Sequence, residues 1–106
     1  YPGGHVYCAS KHAVDAITKG MRIDLLPYGI KVSSVSPGMV DTEFSKVRFK
    51  GDDSKAEAVY KGFTPLYAED VADAIYYVAS LPKHVNVNDM VLTCTAQANS
   101  YVTHKE

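Results

Sequence analysis

Tyr7 and Lys11 stand four residues apart. On a helix that spacing sets both side chains on one face, one turn apart. A tyrosine hydroxyl, with a reference pKa of about 10, exchanges protons poorly at neutral pH. An ammonium beside a phenol favours the phenolate and fits it for acid–base work. A lysine also offers three N–H donors, enough to hold the hydroxyls of a sugar. The spacing alone is unspecific, because Tyr-x-x-x-Lys arises by chance on many helices as a solvated pair. Further along, Ser36-Pro37-Gly38 closes a β-branched run. Read by themselves, these residues make an ordinary turn.

The elements that must position these residues follow from periodicity. Residues 6 to 26 read as a long helix in which Val6, Ala9, Ala13, Val14, Ala16, Ile17, Gly20, Met21 and Leu25 fill more than half the circumference. Such a wide apolar arc predicts packing against a sheet on one side and a second surface on the other. Ala9, Ala13, Ala16 and Gly20 form a stripe of small residues. Tight packing on the chain's own sheet and a helix–helix subunit contact both fit that stripe. Pro27 and Gly29 stop the helix, and Ile30 to Val35 reads as a strand. A polar stretch follows from Asp41 to Thr64, with a turn expected at Gly51-Asp52-Asp53-Ser54 and helix around Lys55 to Lys61. Glu69 to Ser80 reads as a second helix with acidic residues at its N-terminal end, Val71, Ala74, Ile75 and Val78 on one face, and Pro82 beyond it. Met90 to Thr95 is a second strand and the last ten residues read as a tail. Helix, strand, helix, strand with long connections predicts α/β architecture and parallel pairing. Two strands do not make a stable sheet covered on both faces. The expectation is therefore a piece of a larger sheet, incomplete without upstream strands.

The context of the Tyr–Lys pair is specific. Tyr7-Cys8-Ala9-Ser10-Lys11-His12-Ala13-Val14 resembles the Y-x-A-S-K-x-A-[VL] motif of the short-chain dehydrogenase/reductase family. Ile30 to Thr42, with Ser36-Pro37-Gly38-Met39-Val40-Asp41-Thr42, resembles that family's strand and turn G-I-x-V-x-x-[VI]-x-P-G-x-[VI]-x-T. Leu66 to Ala79 resembles the helix before the family's last core strand. The resemblance implies the C-terminal half of a single Rossmann-like, doubly wound dinucleotide-binding domain over residues 1–106. It implies Tyr7 as the general acid or base at a substrate carbonyl or alcohol, and Lys11 as its partner and a ligand of the nicotinamide ribose. It also implies Tyr7, Lys11, Pro37, Gly38, Met39, Val40 and Thr42 as cofactor-binding residues. Within the family, Glu43 to Asp52 and Leu81 to Asn88 are similar to segments of the NADP-dependent 3-hydroxy acid (serine) dehydrogenases. That similarity implies NADP rather than NAD, though NAD stays open, and a small 3-hydroxy acid as substrate. Arg48 is the candidate for its carboxylate, since a guanidinium binds one through two parallel bonds. A loop arginine facing water or a neighbouring subunit is the alternative use. Assembly as a dimer or tetramer through helix 6–26 is also implied.

Composition narrows the remaining classes. The net charge is −1 and no basic run occurs, which leaves no electrostatic case for nucleic acid or an anionic membrane. No apolar stretch approaches the roughly 20 residues of a membrane span. Cys8 and Cys94 are far apart in the chain, so two free thiols in a cytoplasmic protein are expected. The four histidines lack metal-ligand spacing, and no metal is expected. The chain opens at Tyr1 without methionine or signal peptide, and no glycine-rich dinucleotide fingerprint occurs in it. The expectation is that the 106 residues by themselves lack dehydrogenase activity. Two other readings compete with the oxidoreductase: a non-enzymatic truncated remnant, and a different Tyr-x-x-x-Lys enzyme such as an epimerase.

Overall fold

The computed structural model describes residues 1–42 and 60–106. Helix α1 runs from His5 to Asp24, close to the expected 6–26. Its Ala-rich interior contains no proline. At its end the Leu25 N–H still reaches Met21 O, at 2.9 Å. Leu26–Tyr28 then tighten into a 3₁₀ turn around Pro27. Gly29 adopts the left-handed conformation at φ 67°, where a residue without Cβ is favoured.

Strand β1 is Ser34–Pro37 rather than Ile30–Val35. Its partner sets these limits. Strand β4, Asp89–Leu92, lies parallel to it in the register Ser34↔Asp89 to Pro37↔Leu92. Upstream, the Val32 carbonyl is taken by side chains instead, accepting from Arg22 Nε at 3.1 Å and Asn86 Nδ2 at 3.1 Å. A second parallel pair, unforeseen because each strand is only two residues long, joins β2 (Val40–Asp41) to β3 (Leu66–Tyr67). Helix α2, Ala68–Ala79, begins directly after β3. Asp70 Oδ2 accepts from the Tyr67 N–H at 2.8 Å, satisfying a donor at the helix start with a carboxylate suited to that end. Val71, Ala74 and Val78 turn inward, whereas Ile75 stays exposed although it was expected on the same face.

The expected tail is a correction. Residues 96–106 fold back as a hairpin with an antiparallel bridge between Gln97 and Thr103. The Asn99 side chain caps its turn, with Oδ1 accepting from the N–H groups of Tyr101 and Val102 at 2.8 and 2.9 Å. Such a turn is made by an asparagine side chain and not by hydrophobic patterning.

Leu66, Val78 and Cys94 are the buried core among the described residues. No residue of α1 is buried, and Val6 and Ile17 are 71% and 60% exposed. The wide apolar arc of α1 therefore covers little among the described residues. Its attachment is Arg22, 22% exposed at its side chain, whose guanidinium donates to Val32 O and, at 2.8 Å, to Asn88 O. That residue ties the C-terminal end of α1 to the starting ends of β1 and β4. Cys8 and Cys94 are both free thiols. Among the described residues, no helix is long and apolar enough to cross a membrane.

Candidate active site

Helix α1 sets Tyr7 and Lys11 on one face as their spacing requires. The Lys11 Nζ lies over the Tyr7 ring, 5.5 Å from its centroid. Tyr7 is 46% exposed. Neither the Tyr7 hydroxyl nor the Lys11 ammonium has a hydrogen-bond or ion-pair partner among the described residues. One phenolic O–H and three ammonium N–H groups are thus presented together to solvent, a set that can hold sugar hydroxyls beside a proton-transfer group.

The second cluster is the connection from β1 to β2. Pro37 ends β1, where the absence of an N–H removes nothing from the ladder. The Gly38 N–H donates to Leu92 O at 2.7 Å, and Met39 O accepts from the Leu66 N–H at 3.0 Å. Val40 O accepts from the Tyr60 hydroxyl at 2.8 Å. The Met39 N–H donates to the side-chain oxygen of Gln97 at 2.9 Å. A Cβ at Gly38 would run into Gln97 Oε1 and lie 3.1 Å from Thr93 Cγ2. The space opened by the missing side chain is filled by the protein's own glutamine.

The structure thus pairs Tyr7 with Lys11, and gathers Pro37, Gly38, Met39 and Val40 on one turn with Thr42 just after β2. No hydrogen bond or ring contact joins the two clusters among the described residues. Arg48 lies outside the described residues, as do the turn expected at 51–54 and most of the helix expected around 55–61. Sequence reasoning missed Gln97, Tyr60 and Arg22. Gln97 meets Met39 across 58 positions, and no local pattern signals such a contact.

The model of the short chain dehydrogenase family matches residues 1–53, half of the chain and the whole Tyr–Lys and Pro–Gly region. The chain belongs to that family. It is 51% identical over 98 residues to sulfoacetaldehyde reductase 2 of Chromohalobacter salexigens, covering 92% of this chain and 39% of that protein. It is 43% identical over 99 residues to the NADP-dependent 3-hydroxy acid dehydrogenase of Escherichia coli K12, covering 92% and 40%. The solved closed form of a serine dehydrogenase complexed with NADP+ matches at a TM-score of 0.88 and 40% identity, over 100% of this chain and 43% of that one. The resemblance to serine and 3-hydroxy acid dehydrogenases is borne out, with a sulfoacetaldehyde reductase beside them. So is the fold: an α/β chain forming part of a Rossmann-like parallel sheet. This short-chain dehydrogenase chain spans about two fifths of the length of the curated relatives it matches.

Proposed function

We propose that the protein containing this chain is an NADP-dependent oxidoreductase acting on a small alcohol or aldehyde that carries an anionic group. Residues 1–106 are its C-terminal half-domain. The observation that carries the reading is the unengaged Tyr7–Lys11 pair, one turn apart with the ammonium 5.5 Å from the ring centroid, inside a matched family motif. Arg22 fixes the far end of α1 at the starting ends of the parallel strands. A helix connecting parallel strands returns antiparallel to them. Tyr7, roughly 22 Å from Arg22 along that axis, then stands toward the strands' carboxyl ends, where open α/β sheets bind ligands.

The residues fit a nicotinamide dinucleotide. Lys11 would hold the ribose hydroxyls, and Pro37 to Val40 with Thr42 would lie along the nicotinamide and its phosphates. When bound, NADP supplies the hydride donor or acceptor. Tyr7 would give its hydroxyl proton to the substrate oxygen in reduction and take it back in oxidation. The Lys11 charge would stabilise negative charge developing on the Tyr7 oxygen as the proton leaves.

The substrate class rests on the relatives. Sulfoacetaldehyde and the 3-hydroxy acids share a reacting carbon one carbon away from an anion. Arg48 is the proposed cation for that group. Assembly through α1 is the proposed use of its small-residue face, of which Ala9, Ala13 and Ala16 are exposed and Gly20 half-buried. The test is an assay of the full-length protein with NADPH and sulfoacetaldehyde or malonic semialdehyde, and with NADP and L-serine or 3-hydroxypropionate. Turnover of at least one anionic substrate, above its neutral analogue, is expected. Absence of NADP-linked turnover with all of them would sink the reading.

A further inference from the structure

We infer that Gln97 is a positioning residue for the cofactor-binding turn, holding Met39 in place from the C-terminal hairpin. The inference deepens the proposed function and rests on it. A turn that lines a ligand site binds best when its shape is fixed beforehand, since ordering it on binding weakens affinity. Here the backbone of Gly38 to Val40 is held from three directions. Strand β4 takes the Gly38 N–H, β3 supplies the donor to Met39 O, and Tyr60 donates to Val40 O. The Met39 N–H is the group that no strand reaches, and Gln97 Oε1 accepts from it at 2.9 Å.

Gln97 is itself well anchored. Its backbone N–H donates to Cys94 O at 3.0 Å, its side-chain amide donates to Asn99 O at 3.2 Å, and it bridges Thr103 across the hairpin. Both ends of its side-chain amide are therefore used, which fixes the acceptor toward Met39. The same hairpin touches Met39 a second time, through Thr103 Oγ1 at 3.9 Å from the Met39 sulfur. Gly38 makes this arrangement possible, because any Cβ there would displace the Gln97 oxygen. The missing side chain at position 38 thus admits a supporting glutamine, and through it sets the shape that the cofactor meets.

The test compares Gln97→Met and Gln97→Glu in the full-length enzyme. Methionine keeps the length and bulk but removes the acceptor. Glutamate keeps the acceptor toward Met39 and gives up only the donor to Asn99 O. The readouts are the dissociation constant of NADP by fluorescence titration, and kcat and KM at saturating substrate. Gln97→Met is expected to raise the dissociation constant and the KM for NADP about tenfold, as for one lost hydrogen bond, while kcat at saturating cofactor changes less than about threefold. Gln97→Glu is expected to stay within about threefold of the unsubstituted enzyme in affinity. Should the methionine variant fail to fold, Gln97→Ala removes the same acceptor and takes its place. Unchanged NADP affinity in the acceptor-less variant, or equal losses in both, overturns the inference while leaving the proposed function intact. An unsubstituted enzyme that binds no NADP overturns both.

Discussion

Replacing Gly38 by alanine puts a methyl group into space already filled. A Cβ there runs into Gln97 Oε1 and comes within 3.1 Å of both Gln97 Cδ and Thr93 Cγ2. Gln97 must withdraw, and the half-buried Met39 N–H loses its 2.9 Å acceptor. A donor left unpaired in such a place costs about 1–3 kcal/mol. Residual crowding against Thr93 adds roughly 1 kcal/mol. The expected destabilisation is therefore about 2–4 kcal/mol, large for one methyl group. Urea unfolding of the full-length protein measures it in a double-mutant cycle with Gln97→Ala. Once Gln97 is shortened, only the crowding against Thr93 remains and the Met39 hydrogen bond is already gone. Gly38→Ala should then cost about 1 kcal/mol, giving a coupling of at least about 1 kcal/mol between the two sites. Additive costs would refute the reasoning. They would leave Gly38 with only the cofactor-binding role that the family resemblance implies.

Three other outcomes are expected. Tyr7→Phe in the full-length enzyme should cut kcat by about 10²-fold or more and leave NADP affinity near normal; a near-normal kcat would remove Tyr7 from the proton transfer. Arg22→Ala should destabilise the protein by roughly 2–3 kcal/mol, since a charged donor to two carbonyls is lost, and Arg22→Lys should recover less than half; a change under about 0.5 kcal/mol in urea unfolding would show that α1 is held elsewhere. Arg48→Ala should raise KM for an anionic substrate far more than for its neutral analogue, a discrimination of about 1.5–3 kcal/mol in kcat/KM; equal effects on both substrates would leave Arg48 without a role in recognition.

How far the structure was legible depended on the range of each interaction. Helix α1 and its Tyr7–Lys11 face could be read because a long 3.6-residue period and the Pro27–Gly29 stop are local signals. The parallel pairing of β1 with β4 followed from the alternation of elements. Strand limits were less readable. Ile30 and Val32 have strand-forming side chains, but the carbonyl of Val32 goes to Arg22 and Asn86, and nothing in a β-branched run announces that. Strands β2 and β3 are too short to show a period. The hairpin of residues 96–106 depends on the Asn99 side chain and a bridge to Gln97, so low apolar content made it look like a tail. At the candidate site, Tyr7 and Lys11 stood out by type and spacing, whereas Gln97 and Tyr60, which hold the backbone of Met39 and Val40, did not.

The nesting of the two strand pairs has a consequence for the order in which the chain assembles. Ser34 and Asp89, aligned in the outer pair, are 55 positions apart. The inner pair, Val40 with Leu66, closes a loop roughly half as long, and each halving of loop length lowers the closure cost by about 0.6 kcal/mol. Once the inner pair has formed, the chain still to be closed by the outer pair is itself shortened by about half. Strands β2 and β3 contribute little to equilibrium stability by their length, yet they stand on the least costly route to the β1–β4 ladder. Substitutions that weaken them should slow folding more than they hasten unfolding, the kinetic mark of a contact made before the rate-limiting step.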